Sequence, residues 1–262
     1  MLRLFTSFHD EIRPNRVAEC AECLRRNLAC DAVTEVCLLV EGAGGEIPDS
    51  PKLQLRRIQS RPTYADYFRW VNELADDDDI SLIANSDIWF DDHLRVFENW
   101  KLPERTVLAL SRWDYKPDQP TALYDHNDSQ DSWIVRGSVR GVTGDFPLGI
   151  PRCDNRIAAE FERAGYQVLN PSFSIKSYHL HDGPVRCYDA TVPSMLVPPP
   201  YKYIWPHNLF GPLRTAYHRV FGGVLLGYRI DRRRLGRMFL FRLWRKLMLF
   251  FGRLGKSRTP AL

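Results

Sequence analysis

The apolar positions of this chain fall into short runs separated by amphipathic stretches. Residues 2–8 have strand character, and Pro14 opens a helical pattern in which Val17, Cys20, Leu24 and Leu28 recur at spacings of three or four. Residues 33–40 form a second apolar run, closed by the turn signal Gly42-Ala43-Gly44-Gly45. Residues 53–58 alternate as a half-buried strand does, and Tyr64, Tyr67, Phe68, Val71 and Leu74 share one helix face. After an acidic turn at 76–79 comes a compact apolar run, 80–84. Asp91 or Asp92 is placed to cap a short helix reaching Trp100, and 106–110 is another apolar strand. The order β-α-β-β-α-β-α-β predicts an α/β fold, a Rossmann-like domain around a mostly parallel central sheet. Residues 111–152 read as loop-rich, with Pro117, Pro120, Pro147 and Pro151. Residues 155–165 read as a helix closing at Gly165, and 167–169 as a short strand.

The pattern changes near residue 192. Five prolines between 192 and 206 read as a linker or wrap, which sets the domain expectation: a body over 1–195, then a linker and tail over 196–262. Charge supports the division. Residues 1–200 carry 22 Lys and Arg against 31 Asp and Glu, whereas 201–262 carry 14 against one, Asp231. On a helical wheel, Arg242, Arg245, Lys246 and Arg253 of the 232–253 stretch fall on one side, and Leu240, Trp244, Leu247 and Phe251 on the other. A basic amphipathic helix of this kind suits an anionic membrane surface. Nucleic acid is not expected, because the apolar face is too large and basic loops interleaved with aromatics are missing.

No run of about 20 apolar residues exists, so a simple spanning helix is not expected. Strand character already at Leu2 leaves no room for a signal peptide. Cys20 and Cys23 make a lone CxxC inside a helical pattern, with no second pair to complete a zinc ribbon. The six cysteines read as small packing residues in a reducing compartment. A cytoplasmic, peripherally membrane-associated protein is the resulting expectation.

Five polar clusters carry candidate chemistry. The first is Asn85-Ser86-Asp87, which ends the 80–84 strand where an open α/β sheet binds ligands. One carboxylate there, with a substrate diphosphate, is enough to hold Mg²⁺ or Mn²⁺, although Asp87 is equally a plain turn cap. The second is the segment 59–64, where Arg61 is placed to meet a phosphate and Thr63 to cap a helix. The third is 128–133, a polar loop with Asp131 ahead of Trp133. The fourth places Asp154 at an expected helix N-cap, as a cap or as a general base. The fifth, Tyr178-His179-Leu180-His181, puts two histidines on one side of an extended strand, where one can complete a metal shell or both be structural.

In order and placement these clusters resemble the GT-A class of nucleotide-sugar glycosyltransferases, over roughly residues 2–190. Within that class the layout looks closest to an uncharacterised bacterial and plant group and is similar to exostosin-type N-acetylhexosaminyltransferases. The strand holding Thr6 is placed like the start of the nucleotide-binding half, Asn85-Ser86-Asp87 like the DxD motif, Asp154 like the acceptor-side base, and His181 like the late histidine of the metal shell. Two departures stand out: Asn85 replaces the first acid of DxD, and Cys153 precedes Asp154 where an acid is common. The resemblance implies a donor site of Thr6, Arg61, Asn85 and Asp87, with Mn²⁺ or Mg²⁺ on Asp87 and His181. It implies Asp154 as the catalytic base, with Asp131 in reserve. The partners it implies are a nucleoside-diphosphate sugar and a glycan or glycolipid acceptor; inversion or retention stays open. A degenerate, membrane-tethered scaffold is the alternative, kept alive by Asn85. A sugar-phosphate nucleotidylyltransferase is disfavoured, because Phe8-His9-Asp10-Glu11 is acidic and lacks the glycine-rich basic loop of those enzymes.

Overall fold

A computed structural model describes residues 1–8, 14–42, 47–180 and 197–231. In chain order the elements are β1 (Leu2–Phe8), α1 (Pro14–Ala29), β2 (Glu35–Glu41), β3 (Leu53–Ile58), α2 (Tyr64–Leu74), β4 (Ile80–Ala84) and β5 (Ile88–Trp89). A 3₁₀ turn at Asp92–Arg95 runs into the one-turn helix α3 (Val96–Asn99). There follow β6 (Thr106–Leu110), β7 (Arg112–Tyr115), β8 (Ala122–Tyr124), β9 (Ser132–Arg136), α4 (Cys153–Arg163), β10 (Gln167–Leu169), β11 (Ser177–Leu180), α5 (Pro212–Leu225) and β12 (Arg229–Asp231).

Seven strands form the main sheet in the order β10-β6-β9-β4-β1-β2-β3. All its pairings are parallel except those of β9, which runs antiparallel to both β4 and β6. The fold is therefore mixed α/β with a largely parallel central sheet. Its central strands are buried on both faces, as parallel sheets require. On one face Phe5, Ile83 and Trp133 pack with Tyr64, Phe68 and Trp70 of α2 and with Ile157 and Phe161 of α4. On the other, Leu4, Leu82 and Ile134 pack with Cys20 and Leu24 of α1. This two-residue alternation gives β1, β4 and β9 apolar side chains for both faces, with polar residues such as Arg3, Ser81 and Arg136 among them.

A second sheet, ordered β12-β8-β7-β11-β5, stands beside the first. It encloses a small aromatic core of Trp113, Phe173, Tyr178 and Tyr228. Two of its strands, β7 and β8, lie where the sequence pattern suggests loops, because they are short and gain order from pairing, whereas β11 covers the extended stretch expected around Tyr178 and His179. The region 111–152 thus holds β7, β8 and β9 where composition alone predicts loop.

Residues 197–230 belong to the same compact unit as the body, which runs from Met1 to Ile230. Val197 and Ile204 donate backbone bonds to Pro151 and Asn127, so this described part of the proline-rich stretch wraps the body. The basic segment 232–253 lies outside the described residues.

The described cysteines, Cys20, Cys23, Cys30, Cys37 and Cys153, are all buried and unbonded to one another. Burial pushes the Cys20 thiol up to about 11, so the CxxC is packing and not reactive chemistry. No helix among the described residues is long and apolar enough to cross a membrane.

Candidate functional site

The sheet topology gathers the polar clusters at one edge. β4 ends at Ala84, and Asn85-Ser86-Asp87 continues past it. β6 ends at Leu110 and hands over to Arg112 at the start of β7. Because β9 is antiparallel, its beginning comes to this same edge. Asn85 N donates to Asp131 O at 3.2 Å, and Asp131 N to Leu110 O at 3.0 Å, which knits the three strand ends together.

The side chains form a continuous charged network. Asn85 Nδ2 donates to Asp131 Oδ1 at 3.1 Å. Arg112 Nη1 reaches Asp131 Oδ2 at 3.3 Å, and its Nε reaches Asp114 Oδ1 at 2.9 Å. Asp114 Oδ1 lies 3.4 Å from His179 Nδ1, and His179 Nε2 lies 3.2 Å from Asp87 Oδ2. Arg16, in the first turn of α1, closes on the same Asp87 oxygen at 2.8 Å. Burial alone would raise the Asp87 carboxyl, but His179 and Arg16 outweigh it and hold the group well below the usual carboxylate range. Burial likewise opposes protonation of His179, and the Asp87 and Asp114 carboxylates overcome it, pushing the imidazole up to about 9. His179 is therefore cationic at neutral pH.

Asp154 is built differently. α4 starts at Cys153, and its N-cap is Arg152, in a left-handed conformation with φ 70. This corrects the expected N-cap role of Asp154, which lies inside the first turn instead. Its Oδ1 accepts from Asn155 N at 2.9 Å and its Oδ2 from Gln130 N at 3.2 Å. No cation is bonded to it among the described residues. Burial, with the Asp131 charge second, pushes the Asp154 carboxyl up to about 7. Asp131 and Asp154 thus have opposed settings: one is tied to an arginine and an amide, the other is left near its protonation midpoint.

The approach of α4 to the strand ends depends on the loop before it. Tyr64 N and Ala65 N, in the first turn of α2, donate to Phe146 O and Gly144 O. A Cβ on Gly144 would sit 2.6 Å from Tyr64 Cβ, so only glycine allows this contact. Thr63 and Asp66 form a reciprocal capping box at the same helix start, as the sequence suggests for Thr63. Further along, Gly149 adopts φ +75; a Cβ there would lie 2.9 Å from Arg61 Nη2 and 3.3 Å from Asn85 Oδ1. Gly149 is the spacer that lets Arg61 and Asn85 flank one point. Arg61 is exposed, and its Nε donates to Leu148 O at 3.1 Å, while its Nη2 lies against Gly149.

Of the residues expected from sequence, the structure brings Asn85, Asp87, Asp131, Asp154 and Arg61 to one edge. Thr6 is buried in β1, and among the described residues its hydroxyl has no hydrogen-bond partner and no bond to the network. His181 lies outside the described residues; the histidine beside Asp87 is His179. Sequence reasoning missed Arg16, Arg112 and Asp114. The Arg112–Asp114 pair has the i, i+2 spacing of one strand face, a signal hidden because β7 is only four residues long. Arg16 carries no local signal, since it is an ordinary helix residue until the fold places it beside Asp87.

Among the described residues no group of three metal-ligating side chains converges. What the site offers a cation is Asp87 Oδ1, which is buried and without a hydrogen-bond partner. A hard divalent ion often takes one or two carboxylates and fills its shell with water and substrate phosphate. The residues therefore fit an ion shared with a phosphate ligand, not one caged by protein alone.

No family model matches this chain, and no curated protein matches it by sequence. Among solved structures it is similar to a mannosyltransferase from Pyrobaculum calidifontis in complex with GDP-mannose and Mn²⁺, at 16% identity and a TM-score of 0.42, over 71% of this chain and 58% of that one. It is similar to S. aureus TarS in complex with UDP-GlcNAc, at 10% identity and a TM-score of 0.45, over 73% and 61%. It is also similar to a Francisella tularensis cytidylyltransferase, IspD, at 10% identity and a TM-score of 0.36, over 65% and 90%. The chain spans about three-fifths of the length of the two glycosyltransferases.

Proposed function

We propose that this chain is a glycosyltransferase, moving a sugar from a nucleoside-diphosphate donor to a hydroxyl of a glycan or glycolipid. The observation that carries the reading is the division between Asp131 and Asp154 at the carboxyl ends of the sheet. A general base works best when its pKa lies near the operating pH, and Asp154 is pushed up to about 7 by burial and by the Asp131 charge. In the proposed step, written for an inverting transfer, the Asp154 carboxylate takes the proton of the acceptor hydroxyl as its oxygen bonds to the anomeric carbon. The bond from that carbon to the diphosphate oxygen breaks, and its electron pair leaves with the nucleoside diphosphate. Asn85 has an amide oxygen free to accept from a ribose hydroxyl while its nitrogen holds Asp131. Arg61 presents its outer nitrogens to the diphosphate. Asp87 Oδ1 would hold Mg²⁺ or Mn²⁺, which when bound would supply Lewis-acid charge to the leaving diphosphate. The cations of Arg16 and His179 hold the other Asp87 oxygen and keep the carboxylate ionised for that role.

Peripheral binding to an anionic membrane by the basic segment 232–253 is part of the same proposal, and it would place the site near a lipid-linked acceptor. The test of function is a donor screen with the full chain, beginning with GDP-mannose and UDP-GlcNAc. Release of nucleoside diphosphate that depends on added acceptor supports transfer, and NMR of the first product assigns inversion or retention. If no nucleotide sugar changes the melting temperature with or without Mn²⁺, the transferase reading fails and a binding scaffold takes its place.

A further inference from the structure

α5 is turned inside out relative to an ordinary surface helix. Its inward side is polar: Arg219 makes a two-point pair with the fully buried Asp125, at 3.1 and 2.8 Å. On the same side Thr215 Oγ1 accepts from Asn208 N at 2.8 Å, His218 Nδ1 meets Tyr228 OH at 2.6 Å, and Gly222 lies flat against the Tyr228 ring. These contacts fix the rotation of the helix about its axis. Leu213, Tyr217, Val220, Phe221 and Leu225 follow one another at i, i+4, i+7, i+8 and i+12, and all point outward. Leu213 is 85% exposed, Val220 64% and Leu225 62%. Scattered exposed apolar residues are ordinary, but a continuous stripe on a helix locked by a buried ion pair is an interaction surface.

Charge selects the occupant. From Val197 to Ile230 there is no acidic residue, and Lys202, Arg214 and Arg229 are in the same stretch. Arg214 is exposed beside the stripe, its guanidinium 5.3 Å from the Phe210 ring centre. The 31 residues after Asp231 add ten Lys and Arg and no acid. A second copy seated face to face on α5 would set Lys202, Arg214 and Arg229 against their own counterparts, with no acid between Val197 and Ile230 to pair them. A bilayer with anionic headgroups accepts both the apolar stripe and its basic flank. We propose that the outward face of α5 is a membrane-seating surface, inserting Leu213, Val220, Phe221 and Leu225 into the interface of an anionic bilayer. This extends the membrane contact upstream of the basic segment 232–253 and into the folded body. It needs neither donor nor acceptor, so it stands or falls apart from the transferase reading.

The test is flotation of the full chain with phosphatidylcholine–phosphatidylglycerol vesicles and with phosphatidylcholine alone. Val220→Ser with Leu225→Ser changes two outward side chains and leaves the Arg219–Asp125 lock intact, so the melting temperature should hold. That double variant is expected to bind anionic vesicles about tenfold or more weakly. Arg214→Gln should weaken mainly the salt-sensitive part of binding. Hydrogen exchange supplies a readout local to α5, whose amides should be protected by anionic vesicles. The proposal is overturned if the double variant binds as the parent does, which would leave the basic segment as the whole anchor. It is equally overturned if the parent chain ignores anionic vesicles. Light scattering showing a dimer that the double variant breaks would assign the face to a second copy.

Discussion

Asp154 carries a cost as well as a proposed role. A carboxyl held above its unfolded value keeps a proton that the unfolded chain has already released. It therefore removes stability as pH rises from about 4 to about 7, and the loss is complete above that. Asp154→Asn should melt at a higher temperature than the parent at pH 8 and be nearly equal to it at pH 4. Each kcal/mol relieved should appear as about 2–4 °C. Turnover should fall by about 100-fold or more while donor binding is kept. In the parent, kcat/KM should climb through an apparent pKa near 7 and then level off. A stable, fully active Asp154→Asn enzyme would remove Asp154 from the base role. Gly149 is the second residue with a sharp expectation. Alanine there meets both the left-handed backbone, φ +75, and the Arg61 and Asn85 side chains. Gly149→Ala should cost about 1–2 kcal/mol of stability and raise KM for the donor at least several-fold, with a smaller effect on kcat. Isothermal titration with the nucleoside diphosphate checks this, and unchanged affinity would dissociate Arg61 and Asn85 from donor binding.

Elements were legible where one strand or helix decides its own burial. β1, β4 and β6 announce themselves as apolar runs because the sheet covers both their faces, and α2 does so through its five-residue aromatic and aliphatic stripe. β7 and β8 did not, since three or four residues carry no period of their own and order arrives only with their partners. α5 was illegible for a different reason. Its rotation is set by Arg219 finding Asp125, 94 residues away in sequence, and no local pattern reveals that pairing. The same pair makes the element testable. Asp125 is fully buried, so Arg219→Gln strands a charge and should destabilise the protein by about 3 kcal/mol, or roughly 6–12 °C. Adding Asp125→Asn should recover much of that loss. If the single variant melts within a degree of the parent, α5 is held by something other than this pair.

At the scale of the whole molecule, the strand-end motif was readable from sequence but its electrostatic setting was not. Asn85-Ser86-Asp87 is visible as a polar stop to an apolar run; that Arg16 and His179 would flank Asp87 required α1 and β11 to be placed in space. Among the described residues the site sets Arg16, Arg61, Arg112 and His179 against Asp87, Asp114, Asp131 and Asp154, a nearly balanced set. Such a site has little net attraction for a free divalent ion, and it also lacks the surplus positive charge that a bound diphosphate needs. Under the proposed reading the two deficits would cancel if ion and diphosphate arrived together, with Asp87 Oδ1 as the residue that would hold the ion. Metal and nucleotide should therefore bind with strong mutual dependence. Mn²⁺ alone should move the melting temperature by a degree or less. With a nucleoside diphosphate at about 100 times its Kd, the same Mn²⁺ should raise it by about 5–10 °C. Asp87→Asn, which keeps the size of the side chain, should abolish the joint shift and leave any metal-free nucleotide binding through Arg61. A shift of equal size with Mn²⁺ alone, or one that survives in Asp87→Asn, would place the ion elsewhere in the chain and separate it from the strand-end motif.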